Sequence, residues 1–270
     1  MSATDLDLTR RPAPKPGASP AAGSARGPGP TYSRGLLGLT LATVTFFAAA
    51  LALVFFYAPL DADQGFVQKI FYIHVPLAIV SLCGFVLGGL FAIAQLRTGE
   101  RKWDMRSYVA IHMSLIFGIA GLIAGSIWAK ASWGHWWEWS DPTLVSFLIV
   151  LLLFATYQPL RFSIEDPERQ ARYASVFAIV AGAFVPMNFI VVRLSQGFVH
   201  PRVLTLTGGR LPGSMQLTFA VSLIAVALLF ATLWKYELTA KSTRMALRAT
   251  RRALLGEESV RPLGRSAAPS

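Results

Sequence analysis

Leu36-Leu37-Gly38-Leu39-Thr40-Leu41-Ala42-Thr43-Val44-Thr45-Phe46-Phe47-Ala48-Ala49-Ala50-Leu51-Ala52-Leu53-Val54-Phe55-Phe56 runs without a single charged side chain. A bilayer hydrocarbon core about 30 Å thick needs roughly 20 such residues in a helix, so this run predicts a membrane-spanning helix over 36–57. Five further runs meet the same requirement, near 74–96, 108–129, 143–160, 173–193 and 215–235. Composition agrees with them. Of the 270 residues, 54% are hydrophobic and only 14% charged, against about 25% charged in soluble domains. So few charges cannot cover a water-facing surface, and the mean hydropathy of +0.50 has the same meaning. The predicted fold is an all-α integral membrane protein with six transmembrane helices.

Outside that domain, taken as 35–236, residues 1–34 are rich in Pro, Gly, Ala and Ser and lack apolar periodicity, which predicts a disordered tail. The run after it is long and has no small-residue cleavage site, so it reads as retained rather than as a signal peptide. Residues 237–270 read as a second, basic tail. Alternating the spans sorts the 25 Lys and Arg onto two sides, and only Lys69, Lys130, Arg193, Arg202 and Arg210 fall on the side away from the termini. The positive-inside rule then predicts that both termini are cytoplasmic. The net charge of +11 thereby becomes a topology signal and gives no reason to expect nucleic acid. Basic C-terminal residues such as Arg244, Arg248, Arg251 and Arg252 also suit a surface of anionic lipid. The single Cys83 excludes an intramolecular disulfide, a CxxC pair and a covalently attached c-type haem.

The outer side carries the unusual chemistry. Trp133-Gly134-His135-Trp136-Trp137-Glu138-Trp139-Ser140-Asp141-Pro142 packs four tryptophans into the predicted loop 130–142, after Trp128. Interfacial anchoring accounts for one or two of them. A cluster of flat rings with outward N–H donors also suits a flat, amphipathic ligand. Three of the four histidines fall on the same side or its boundary. His74 lies at the mouth of the second span, where Pro76 is placed to start a helix, and His200 lies in the last outer loop, 194–214. Two neutral imidazoles from separate segments can ligate one iron from opposite faces of a porphyrin; interfacial histidines bonded to backbone or water fit the spacing equally well. His135 suits a rim position, and His112 a satisfied helix residue.

The block Gly125-Ser126-Ile127-Trp128-Ala129-Lys130, then Trp133 to Trp139 with Asp141 and Leu144, resembles the tryptophan-rich WWD signature of haem-handling proteins in cytochrome c maturation. Tyr72-Ile73-His74-Val75-Pro76 is similar to the segment before the second span in the CcmC-type members, over about residues 36–236. That resemblance implies a protein presenting haem b as transported ligand on the outer face of the bacterial inner membrane. Its partners would be the haem chaperone CcmE, the small membrane protein CcmD and the CcmAB ATPase. It further implies His74 and His200 as axial ligands and Trp128, Trp133, Gly134, Trp136, Trp137, Trp139 and Asp141 as the haem-binding surface. Here Ser140 separates the last tryptophan from Asp141, and His200 is followed by Pro201, both departures from the family pattern.

Lys130, Arg193, Arg202 and Arg210, with Lys69, are the outer cations available to haem propionates; snorkelling is their other reading. No span carries a buried carboxylate of the kind proton-coupled transporters use, and Gly208-Gly209 lacks the phosphate-loop pattern. The chain is not expected to be an enzyme. A haem-lyase type of WWD protein, or a channel or secondary transporter with an aromatic gate, are the alternative functions.

Overall fold

The computed structural model describes residues 34–194 and 211–254. Among them every regular element is helical: α1 (Arg34–Ala52), α2 (Phe71–Thr98), α3 (Arg101–Trp133), α4 (Pro142–Phe162), α5 (Pro167–Leu194) and α6 (Gly213–Leu254). A π-helical turn, Leu53–Tyr57, prolongs α1, closed by the Ala58 N–H on the Leu53 carbonyl at 2.8 Å. A 3₁₀ turn, Phe66–Ile70, leads into α2. Five of these helical stretches, all but α5, are long and apolar enough to cross a membrane. The chain is a multi-pass membrane protein. α5 forms where the fifth span was expected, although the side chains of its last turn lie outside the described residues.

Several boundaries move from the sequence expectation. α3 starts at Arg101, so the expected loop 97–106 shrinks to Gly99 and Glu100. Gly99 makes that reversal possible, with φ +69° and its N–H on the Gln95 carbonyl at 2.8 Å. α2 starts at Phe71, which puts Pro76 inside the helix instead of at its start. The 3₁₀ turn supplies the initiation that Pro76 was expected to supply. α3 continues through Trp133, so only the part of loop 130–142 after it is non-helical. α6 runs on to Leu254 and carries the basic residues expected of a tail from 237. Residues 1–33 and 255–270 lie outside the described residues, as does most of loop 194–214.

Lipid offers helices no hydrophobic reason to associate, so close backbone approach and interhelical hydrogen bonds must hold them. α2 and α3 meet along an antiparallel seam of small residues. A Cβ at Gly84 would lie 2.1 Å from Ser114 Oγ, one at Gly88 would lie 2.6 Å from Ile111 Cγ1, and one at Gly118 would lie 2.8 Å from Ser81 Oγ. Ser81 Oγ donates to the Ser114 carbonyl and Ser107 Oγ to the Gly88 carbonyl, each at 2.8 Å. α5 approaches α2 at Gly182 and Gly89, and Phe85 stacks on Phe154 of α4 at 3.9 Å between centroids. α1 lies against α6, where the Thr43 and Thr232 hydroxyls are 2.7 Å apart.

These pairings sort the connections by end. The Thr40 hydroxyl reaches that of Tyr236 at 3.3 Å, and the Trp234 indole N–H reaches the Arg106 carbonyl at 3.4 Å. The start of α1, the α2–α3 turn, the α4–α5 turn and the basic extension of α6 therefore gather at one end of the bundle. The Asp61–Ile70 segment, the tryptophan loop and the start of α6 gather at the other.

Candidate functional site

At that second end α2 presents His74 to α3. Gly121, Gly125 and Trp128 follow at helix positions i, i+4 and i+7, which places them on one face. His74 Nδ1 lies 2.8 Å from the Gly121 carbonyl oxygen. A carbonyl only accepts, so Nδ1 carries the proton and the neutral ring's acceptor nitrogen is Nε2. Gly125 makes room for the ring, since a Cβ there would sit 2.4 Å from His74 Cε1. Trp128 meets the imidazole edge-on, with centroids 5.9 Å apart and planes at 69°. Its indole N–H donates to Gln64 Oε1 at 2.7 Å, and Ser132 Oγ donates to the same oxygen at 3.2 Å.

Gln64, His74, Gly125, Trp128, Ala129, Ser132, Trp133 and Leu144 line one narrow cleft with about 30 Å³ of free space. His74, Trp128 and Trp133 are thus brought together. The other tryptophans stand beyond this cleft. Gly134, at φ +82°, ends α3 with its N–H on the Lys130 carbonyl at 3.1 Å, and the chain turns away from the helix there. Trp136 and Trp139 are 58% and 73% exposed. Trp137 contacts Trp139 edge-on at 5.9 Å, and its buried indole N–H has no hydrogen-bond partner among the described residues. An apolar patch of this kind at the bundle's end, with an unused donor at its base, fits a flat ligand that brings acceptors.

Several of the expected residues make contacts within the protein. Fully buried Asp141 is the N-cap of α4, where its Oδ1 accepts the N–H groups of Thr143 at 2.8 Å and Leu144 at 3.3 Å. The carboxylate fixes where the tryptophan loop ends. Lys130 Nζ donates to the Gly134 carbonyl at 2.7 Å. Lys69 is buried and donates to the Val54 and Ala58 carbonyls, satisfying the end of the first span. His135 Nε2 stands 3.5 Å from Glu138 Oε2. The Ser140 hydroxyl and N–H donate to Glu138 Oε1 at 2.6 and 3.0 Å and hold that carboxyl below the ordinary glutamate range. His112 stacks on Tyr108 at 6.0 Å and lies 3.4 Å from Gln158 Nε2, as a satisfied helix residue should.

His200, Arg202, Arg210 and the side chain of Arg193 lie outside the described residues. Among those described, no three His, Cys, Asp or Glu side chains gather as a metal site. A larger cleft of about 380 Å³, lined by Phe47, Phe55, Lys69, Tyr72 and Ser222 among others, includes Lys69 but neither His74 nor any tryptophan. The sequence reading assigned no role to Gln64, Gly125 or Ser132. An Asp-x-Asp-Gln-Gly turn and a glycine one helical turn before Trp128 were the available signals.

Comparison with known proteins places the chain in a family. The chain is 34% identical over 182 residues to heme exporter protein C of Bradyrhizobium diazoefficiens, covering 65% of this chain and 67% of that one. It is 29% identical over 177 residues to heme exporter protein C of Rhodobacter capsulatus, covering 65% and 73%. A putative cytochrome c biosynthesis ccmC-like mitochondrial protein of Marchantia polymorpha is 30% identical over 185 residues, with 68% and 75% covered. The family pattern of CcmC, heme exporter protein C, matches residues 31–253, and the chain belongs to that family.

Proposed function

We propose that this protein binds haem b as its cargo on the outer face of the bacterial inner membrane and delivers it for c-type cytochrome assembly. One observation carries the reading: His74 is held by the Gly121 carbonyl on Nδ1, in a cleft walled by Trp128 and Trp133. Fixing one imidazole nitrogen by a backbone acceptor sets the tautomer and raises the basicity of the other, which is how ligating histidines are prepared. A single axial histidine suits haem, whose porphyrin supplies the remaining equatorial ligands.

His74 Nε2 then serves as one axial ligand and His200 as the other. Trp133, Trp136, Trp137 and Trp139 cover the porphyrin, with Gly134 and Asp141 shaping the loop that carries them. α5 is the sixth crossing, supported by its length and place in the order of helices. Both termini are cytoplasmic, supported by the basic residues gathered at one end of the bundle. The protein acts as a carrier and makes or breaks no bond in the haem. Its recipient is the chaperone CcmE, and it works beside CcmD and the CcmAB ATPase.

Protein purified with haem available should show a Soret band. His74→Ala should abolish or strongly shift it, and Trp137→Ala should weaken haem retention. Wild-type protein that binds no haem, in a strain where neither substitution lowers cytochrome c production, overturns the proposal.

A further inference from the structure

The turn between α1 and α2 reads Asp61-Ala62-Asp63-Gln64-Gly65. Asp61 Oδ1 accepts the backbone N–H groups of Asp63 at 3.0 Å and Gln64 at 2.8 Å, the local closure short acidic side chains favour. Gly65, at φ +57° and ψ −130°, returns its own N–H to the Asp61 carbonyl at 3.0 Å. That backbone geometry belongs to glycine. The Gln64 backbone is therefore clamped from both sides before its side chain does anything.

That side chain crosses to α3. Indole N–H is a donor only, so the 2.7 Å contact from Trp128 fixes the amide with its oxygen toward α3, and Ser132 Oγ bonds the same oxygen at 3.2 Å. Trp128 and Ser132 are one helical turn apart, which lets one acceptor serve both. Two features that hold the His74 ring, the Gly121 carbonyl and the Gly125 gap, are backbone features of α3. A further one, the Trp128 indole, is a side chain with two torsions, also set edge-on against Phe71 at 6.2 Å. The Gln64 bond is what fixes its outer end.

We propose that Gln64 is a positioning residue for His74, acting through Trp128: the clamped outer turn locks the indole, and the indole sets the plane of the imidazole. The inference rests on His74 being a haem ligand. It gives the α1–α2 turn a role in haem capture that its small size conceals, and it makes the orientation of the axial ring depend on a residue that does not touch the iron.

The test uses full-length protein in detergent, with size-exclusion behaviour as the check on folding. Gln64→Ala should release haem roughly three- to tenfold faster to a competing apoprotein, the worth of one neutral hydrogen bond. It should also shift the electron paramagnetic resonance g-values, which report the axial imidazole planes. Gln64→Glu keeps the acceptor and should restore both readouts toward wild type. Trp128→Phe keeps a ring and loses the N–H; it should reproduce Gln64→Ala, and the double variant should add little. Wild-type release rates and g-values in both Gln64→Ala and Trp128→Phe, while His74→Ala loses haem, overturn the positioning role alone. Unchanged haem binding in His74→Ala overturns it together with the haem reading of His74.

Discussion

Arg161 near the end of α4 grips Asp104 near the start of α3 through both carboxylate oxygens, Nη1 to Oδ1 and Nη2 to Oδ2 each at 2.7 Å. The same guanidinium donates to the Tyr157 hydroxyl at 3.3 Å and sits 4.9 Å from the Tyr108 ring centroid. Gln170 of α5 donates to the Arg161 carbonyl at 2.9 Å. One buried fork therefore ties three helices together at the end of the bundle opposite the tryptophan loop. That end needs a specific tie, because apolar side chains alone do not distinguish a helix partner from lipid.

Breaking this pair from one side should cost far more than removing it. Asp104→Ala leaves a guanidinium buried without its anion, and a loss of about 3–5 kcal/mol is expected. The double substitution Asp104→Leu with Arg161→Met should be closer to wild type than either single change. Arg161→Lys should fail to rescue, since an ammonium cannot make the two-pronged contact. Thermal unfolding in detergent reads each variant against wild type. Wild-type melting in both single variants would remove any structural role for the pair.

Gly125→Ala sets two rules against each other. In an exposed helix the change is favourable by about 1 kcal/mol. Here the new Cβ would meet His74 Cε1 at 2.4 Å, so either the ring or α2 must move. The expected outcome is a folded protein whose haem content falls nearly as far as in His74→Ala. Gly38→Ala, with nothing within 4 Å, is the control that should leave haem content unchanged. Normal haem loading in Gly125→Ala would show that the imidazole is not held where α3 places it.

Asp141 separates capping from ligand binding. As the N-cap of α4 it should lose about 1 kcal/mol on substitution by Ala, whereas Asn or Ser, which keep an acceptor oxygen, should retain most of the stability. Haem binding should follow the same order. A direct role for the negative charge predicts instead that Asp141→Asn is as defective as Asp141→Ala. Melting curves and Soret intensities of the three variants, measured together, distinguish these outcomes.

What could be read from sequence followed from which interactions are local. Hydropathy located all six helices, because desolvating a backbone in lipid leaves the helix as the available solution wherever a run is long enough. It misplaced the start of α3, where Trp103, Asp104 and Arg106 look like loop residues until Arg161, distant in the chain, neutralises Asp104. In the site, His74, Trp128 and Trp133 stand out by residue type. Gly125 and Gln64 do not, because their roles exist only once α2, α3 and the outer turn are assembled. The contacts of Lys69 and Lys130 were illegible for a related reason: the carbonyls they satisfy are created by helix ends that hydropathy does not locate to the residue.

Glu138 gives the tryptophan loop a directional response to acid. Two hydrogen bonds from Ser140 favour its ionised form and lower its pKa in the folded protein. The stabilisation is therefore complete above the ordinary glutamate range and is lost as the pH falls through the lowered value. The change in the loop's intrinsic fluorescence that follows Glu138 should come only below the usual carboxylate range. Ser140→Ala removes the hydroxyl donor and should move that transition upward, while Glu138→Gln should abolish it. Because Glu138 also faces His135 at 3.5 Å, the transition should be repeated in His135→Gln. Persistence there assigns it to the Ser140 contacts, and a transition that does not move in Ser140→Ala would mean those contacts do not hold the loop in solution.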